Sequence, residues 1–186
     1  MERQQAWEIL TQYNESEALL KHAMAVEGCM RHFAALNNED AELWGVVGLL
    51  HDVDYEKYPE QHCAKAQEIL GEKGVDPVII RAVASHGFGI CSDVEPQTVM
   101  EKTLFAIDEL TGLINAAAIM RPSKSVMDLE LKSVKKKYKD KRFAAGVDRS
   151  IIEKGAEMLG TTVDELIQQC ILGMRECADK IGLAGE

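Results

Sequence analysis

His51 and Asp52 stand at the end of the most apolar stretch of the chain, Leu43 to Leu50, where an imidazole and a carboxylate buried without partners would be costly. A His-Asp pair on its own also fits a helix C-terminus emerging into water, with the imidazole at the negative end of the helix dipole. Three more polar residues interrupt apolar helical faces: His22 in LLKHAMAV, His86 in IIRAVASH and Asp108 in LFAIDEL. Each alone fits a satisfied core histidine or a capping carboxylate. Together they are imidazole and carboxylate donors from four separate helices, a set suited to a divalent metal. A cation so held lowers the pKa of bound water toward neutrality, giving a nucleophilic hydroxide.

Helices must position these groups, and the apolar spacing is helical nearly throughout, so the expected fold class is all-α. After an opening segment with Trp7 and Leu10, a helix is expected from Asn14, with Glu17 as capping partner, to about Leu36. Asn38 is placed to cap a third, ending at the His-Asp pair. Pro59 suits the first turn of a helix that sets His62, Ala66, Ile69 and Leu70 on one face, and Asp76-Pro77 opens another reaching His86. Pro96 begins a long helix carrying Asp108 to about Met120, which Arg121-Pro122 breaks. Shorter amphipathic helices follow around Met127 to Tyr138, over 148–159 and over 163–181.

The chain has 186 residues, of which 46% are apolar and 28% charged, ordinary proportions for a globular protein. No repeat, low-complexity tract or linker marks a boundary, so one domain over 1–186 is expected. The formal charge of −10 excludes a generally basic surface for nucleic acid or membrane. No apolar run approaches the roughly 18 residues of a membrane span, and MERQQAWEIL lacks a signal-peptide layout. The expectation is a cytoplasmic protein. The five cysteines (Cys29, Cys63, Cys91, Cys170, Cys177) form no CxxC pair and read as reduced, mostly buried thiols.

The order His22, then His51-Asp52 after an apolar run with Val53-Asp54 following, then Asp108 in Ala-Ile-Asp-Glu-Leu, resembles the HD superfamily of metal-dependent phosphohydrolases over roughly residues 18–120. The resemblance implies an all-helical HD-domain bundle, core about 14–120, with a C-terminal helical extension about 121–186. It implies His22, His51, Asp52 and Asp108 as primary metal ligands, and His62 and His86 where some HD proteins add ligands for a second metal. One or two ions of Mn, Fe, Co, Ni or Mg would be the cofactor. Asp52, with two oxygens to offer, is suited to span both. His86 is followed by Gly87 and no GYP sequence occurs, which departs from the cyclic-dinucleotide phosphodiesterase branch. His32 lies near the opposite face of its helix from any shared site and reads as structural or exposed.

The implied activity is hydrolysis of a phosphoester of a small metabolite or nucleotide, with oligomeric state open. Two alternatives use the same ligands: a diiron oxygenase of HD type, and a binding module in which the metal is only structural. Phosphate also calls for a cation beyond the metal. Lys57 is nearest by sequence and, with Asp52, is a candidate catalytic group; Tyr55 or Tyr58 offers a hydroxyl. Asp54 and Glu56 fit either support of the site or solvated loop acids. Arg121 and Lys124, directly after the helix bearing Asp108, are candidate substrate-binding residues. They open a segment, 121–142, with nine Lys or Arg against three acids. Its balance of +6 sits within a chain that is otherwise −16. The segment reads either as a solvated helix face or, through Lys135 to Lys137, as a means of steering an anion. Scarce aromatic residues there argue against a nucleic-acid substrate.

Overall fold

Free backbone donors at each helix start find acceptors nearby, and these set the boundaries in a computed structural model that describes residues 1–185. Ten α-helices result: α1 (Arg3–Tyr13), α2 (Glu17–Leu36), α3 (Ala41–Leu50), α4 (Ala64–Glu72), α5 (Pro77–Ser85), α6 (Val99–Ile119), α7 (Leu131–Lys139), α8 (Arg149–Leu159), α9 (Val163–Glu176) and α10 (Ala178–Ile181). A single 3₁₀ turn, Pro59–Gln61, precedes α4. The fold is all-α, and among the described residues β-structure amounts to two isolated bridges.

Several boundaries differ from those expected, each for a local reason. The second helix starts at Glu17, because Asn14 ends α1 and turns its amide to Val53 O at 2.9 Å, while Glu56 accepts from Glu15 N and Ser16 N. Asp40 rather than Asn38 caps α3, accepting from Glu42 N and Leu43 N; Asn38 instead takes a left-handed φ of 56°. The helix expected from Pro59 is a 3₁₀ turn, and His62 lies in the extended link before α4. Thr98 and Glu101 form a capping box that starts α6 three residues after Pro96. The last expected helix breaks at Cys177, whose φ of −118° leaves the helical region.

Helices α2 and α6 are the two long central rods. Helix α2 packs on α3 and α9, and α6 on α8. Their shared interior holds Val26, Met30, Leu49, Leu50, Leu104, Ile107, Leu110 and Ile114, all buried. The core continues without a break into Ile152 of α8 and Ile167, Ile171 and Met174 of α9, so the C-terminal helices lie on the same core as the N-terminal ones. Close approach demands glycine at two crossings. A Cβ on Gly155 of α8 would lie 2.4 Å from Ala106 Cβ of α6, and one on Gly173 of α9 would lie 2.8 Å from Cys29 Cα of α2. Buried Glu27 is met by Arg3 at 2.7 Å and Arg31 at 3.0 Å. Among the described residues no buried side-chain polar atom lacks a partner, and no helix is long and apolar enough to cross a membrane.

Candidate metal centre

His51 and His86 are the C-caps of α3 and α5. The last carbonyls of a helix have no intrahelical donor, and here each histidine supplies one from its own ring. His51 Nδ1 lies 2.7 Å from Gly48 O and His86 Nδ1 lies 2.5 Å from Val83 O, three residues back in both cases. Because a carbonyl only accepts, each Nδ1 carries a proton and each Nε2 is the atom left to face the neighbouring side chains, an assignment that follows from the hydrogen-bond network. His62 reaches the same state by another route. Its Nδ1 donates to Asp54 Oδ1 at 2.8 Å, and Asp54, fully buried, accepts Ala66 N with its other oxygen at 2.8 Å. Thus Asp54 both orients a candidate ligand and caps the first turn of α4.

Six side chains meet at this point. His22 of α2, His51 of α3 and Asp108 of α6 bring their donor atoms within 4.8 Å of one another. His22 Nε2 is 3.0 Å from Asp108 Oδ1, and His51 Nε2 is 3.3 Å from both His22 Nε2 and Asp108 Oδ1. Beside them, His62 Nε2 and His86 Nε2 face each other at 3.1 Å. Asp52 joins the two groups: Oδ2 lies 3.3 Å from His51 Nε2, and Oδ1 lies 3.4 Å from both His62 Nε2 and His86 Nε2. Against its burial, Asp54 and Asp52 raise the pKa of His62, so positive charge, a proton included, is favoured where its Nε2 faces His86. Two groups of donors here could hold a metal ion, His22, His51 and Asp108 in one and His62, Cys63 and His86 in the other.

The electrostatics agree. Burial opposes charge on His51, yet the Asp52 and Asp108 carboxylates hold its pKa well above the usual histidine value. Burial likewise opposes ionisation of Asp52, but His51 and His86 keep its carboxyl well below the usual range, and Asp108 is held low against burial by His51 and His22. The centre therefore keeps its carboxylates ionised and draws cations, protons included.

The ligands open on a cavity of about 420 Å³. Its wall includes Leu19, Tyr55, Ile90, Phe105, Val147 and Ile151, with Cys91 and Glu109 as further polar groups. Burial and the Asp108 charge push Glu109 up to about 6. A hydrogen bond with Cys63 lowers Cys91 to about 6 against its burial. No Lys or Arg lines this cavity. Lys57 turns away, donating to Gln12 O at 2.6 Å with its ammonium over the Tyr13 ring. Arg121 pairs with Asp128 at 2.8 Å, and Lys124, with a φ of 46°, lines a separate hollow with Asp128 and Gly185. Lys132, Lys135, Lys136 and Lys139 of α7 line another groove, of about 710 Å³, with Arg175. Tyr55 sets its ring edge on His62 with centroids 5.1 Å apart, while Tyr58 lies under Lys65. His32 bonds Glu176 and Gln169. Glu109, Cys63 and Cys91 had no signal in the sequence beyond lying next to or a few residues from a ligand.

No protein-family model, curated protein or solved structure matches the chain.

Proposed function

We propose that this chain is a metal-dependent phosphohydrolase of the HD type, acting on a phosphomonoester with an apolar or uncharged body. The observation that carries the reading is the bridging position of Asp52, one oxygen toward each histidine group, which suits a two-ion centre. When bound, the ions would supply an activated hydroxide and charge to hold the phosphoryl oxygens. Asp52, His51 and Asp108 are fixed before any substrate arrives, since His51 is wholly buried and locked to Gly48 O. The apolar side chains of the wall would pack the body of the substrate. With Glu109 in the lining and no Lys or Arg there, the cavity has nothing to neutralise a chain of phosphates beyond the one at the ions. Monoesters are thus favoured over nucleoside triphosphates.

The test is phosphate release by purified protein loaded with Mn, Fe, Co, Ni or Mg across monoesters, diesters and triphosphates. Turnover is expected for an uncharged-body monoester and lost in Asp52→Ala. No turnover across the panel with either metal position filled refutes the reading. The absence of Lys or Arg from the wall favours a second one, oxygenation at two irons. Iron content with oxygen uptake, and loss of activity with redox-inert ions, would select that reading.

A further inference from the structure

Two cysteines stand at the second donor group, Cys63 as one of its three members with His62 and His86, and Cys91 beside it. Cys63 directly follows His62, and Cys91 lies in the turn that follows His86. Their Sγ atoms are 3.0 Å apart, against about 2.05 Å in a disulfide, so closure by about 1 Å would join them. Cys63 is fully buried, whereas Cys91 is exposed and lines the cavity. The backbone is shaped around the pair. Cys63 takes φ 65°, a conformation that residues with a Cβ avoid. The residue after His86 is glycine, and a Cβ there would lie 2.5 Å from Cys63 Sγ and 2.4 Å from Cys91 Sγ. Cys91 N and Ser92 N both donate to Gly87 O, which holds the Cys91 turn against the ligand His86. Cys29, Cys170 and Cys177 are buried in the helical core away from the cavity.

We propose that Cys63 and Cys91 are a reversible dithiol–disulfide site for a hydroperoxide-class oxidant, and that the bond changes cation binding between His62 and His86. The second clause rests on the metal reading above. The accessible Cys91 sulfur attacks the terminal peroxide oxygen; an S–O bond forms, the O–O bond breaks, and the leaving oxygen takes up the proton that Cys91 gives up and departs as water or an alcohol. The Cys63 sulfur then attacks Cys91; the S–S bond forms, the S–O bond breaks, and hydroxide leaves with the Cys63 proton as a second water. Two thiols lose two electrons and one peroxide is reduced. The bond draws together two segments that each hold a ligand, so the spacing of His62 and His86 differs between the two states.

The test treats the full chain with hydrogen peroxide, with and without Mn²⁺, and reads intact mass, a non-reducing peptide digest and Mn²⁺ titration. The expected product has lost two hydrogens, links the Cys63 and Cys91 peptides, reverts with dithiothreitol, and binds the second equivalent of Mn²⁺ about ten-fold more weakly with the first unchanged. Cys91→Ser, at an exposed position, removes both the link and the peroxide effect on the second equivalent. Thiols that stay reduced, a Cys91 sulfinic acid without a link, or a link that leaves Mn²⁺ affinity unchanged would each overturn the proposal. A reduced protein that binds no Mn²⁺ sinks the metal reading and the coupling with it, while the digest still decides whether the disulfide forms.

Discussion

Replacing Asp54 by asparagine removes one charge and almost no volume, and its consequence can be worked from two hydrogen bonds. Asp54 accepts from His62 Nδ1 and from Ala66 N, both at 2.8 Å, with one oxygen each, in a site of zero exposure. Asparagine has one oxygen and an amino group. If the oxygen stays with Ala66 N, the amino group faces His62 and can only donate, so His62 must accept at Nδ1 and carry its proton on Nε2. That proton occupies the lone pair that points at His86 and Asp52. If the oxygen turns to His62 instead, the first turn of α4 loses its acceptor. Losing such a supporting group lowers metal affinity roughly 10- to 100-fold, or about 1.4–2.7 kcal/mol. One unsatisfied buried donor costs about 1–3 kcal/mol of stability. Calorimetric titration with Mn²⁺ should show the second equivalent weakened by that factor and the first, at His22, His51 and Asp108, within two-fold. A second equivalent bound as tightly as in the parent protein would refute the role assigned to Asp54.

Asp52 turns one oxygen toward each histidine group, so on the proposed two-ion reading Asp52→Ala should take metal content from two equivalents to below one, whereas His86→Ala should leave one; elemental analysis after desalting separates them. Gly155→Ala forces a methyl against the Ala106 backbone, whose Cα would lie 2.5 Å away, and backbone cannot swing aside. A loss of about 1–3 kcal/mol and a fall in Tm of roughly 2–10 °C follow, measured by thermal melts. Acid should strip the metal. His51 has a raised pKa in the metal-free protein, so protons bind that form preferentially and the released state gains as pH falls through that raised value. Dialysis at about pH 5 should remove more metal than at about pH 8, and equal retention would count against imidazole ligation.

Three of the six convergent side chains were legible because each breaks a periodic pattern, His51-Asp52 because it ends an apolar helix, and His62 as a ligand only through the family resemblance. A polar residue on the buried stripe of an amphipathic helix must meet something, and His22, His86 and Asp108 stand out in LLKHAMAV, IIRAVASH and LFAIDEL for that reason. The cations were not legible, since charge near a ligand in sequence says nothing of which way the chain turns. After His51 the chain folds back on α1, carrying Lys57 to Gln12 and Tyr13 and leaving Asp54 inside. Arg121 and Lys124 follow the C-terminus of α6, three turns beyond Asp108, and so leave the site behind. Capping carboxylates were only partly legible. Asp76 caps α5 from the position before proline, as its sequence suggests, but the N-terminus of α2 is served by Glu56 from 40 residues away.

The arrangement of helices explains why this centre needs no nearby lysine to be strongly polar. Helices α3 and α5 both end at it, each presenting the negative end of a dipole worth about half a charge. Two ionised carboxylates, Asp52 and Asp108, add to that field. In each of these helices the terminal histidine donates from its ring to a carbonyl of the last turn and by the same hydrogen bond aims its Nε2 inward. Helix termination, tautomer choice and ligand orientation are then one local event, repeated at residues 51 and 86. A field of that sign favours a cation at its centre, and the cavity wall carries no Lys or Arg to supply one.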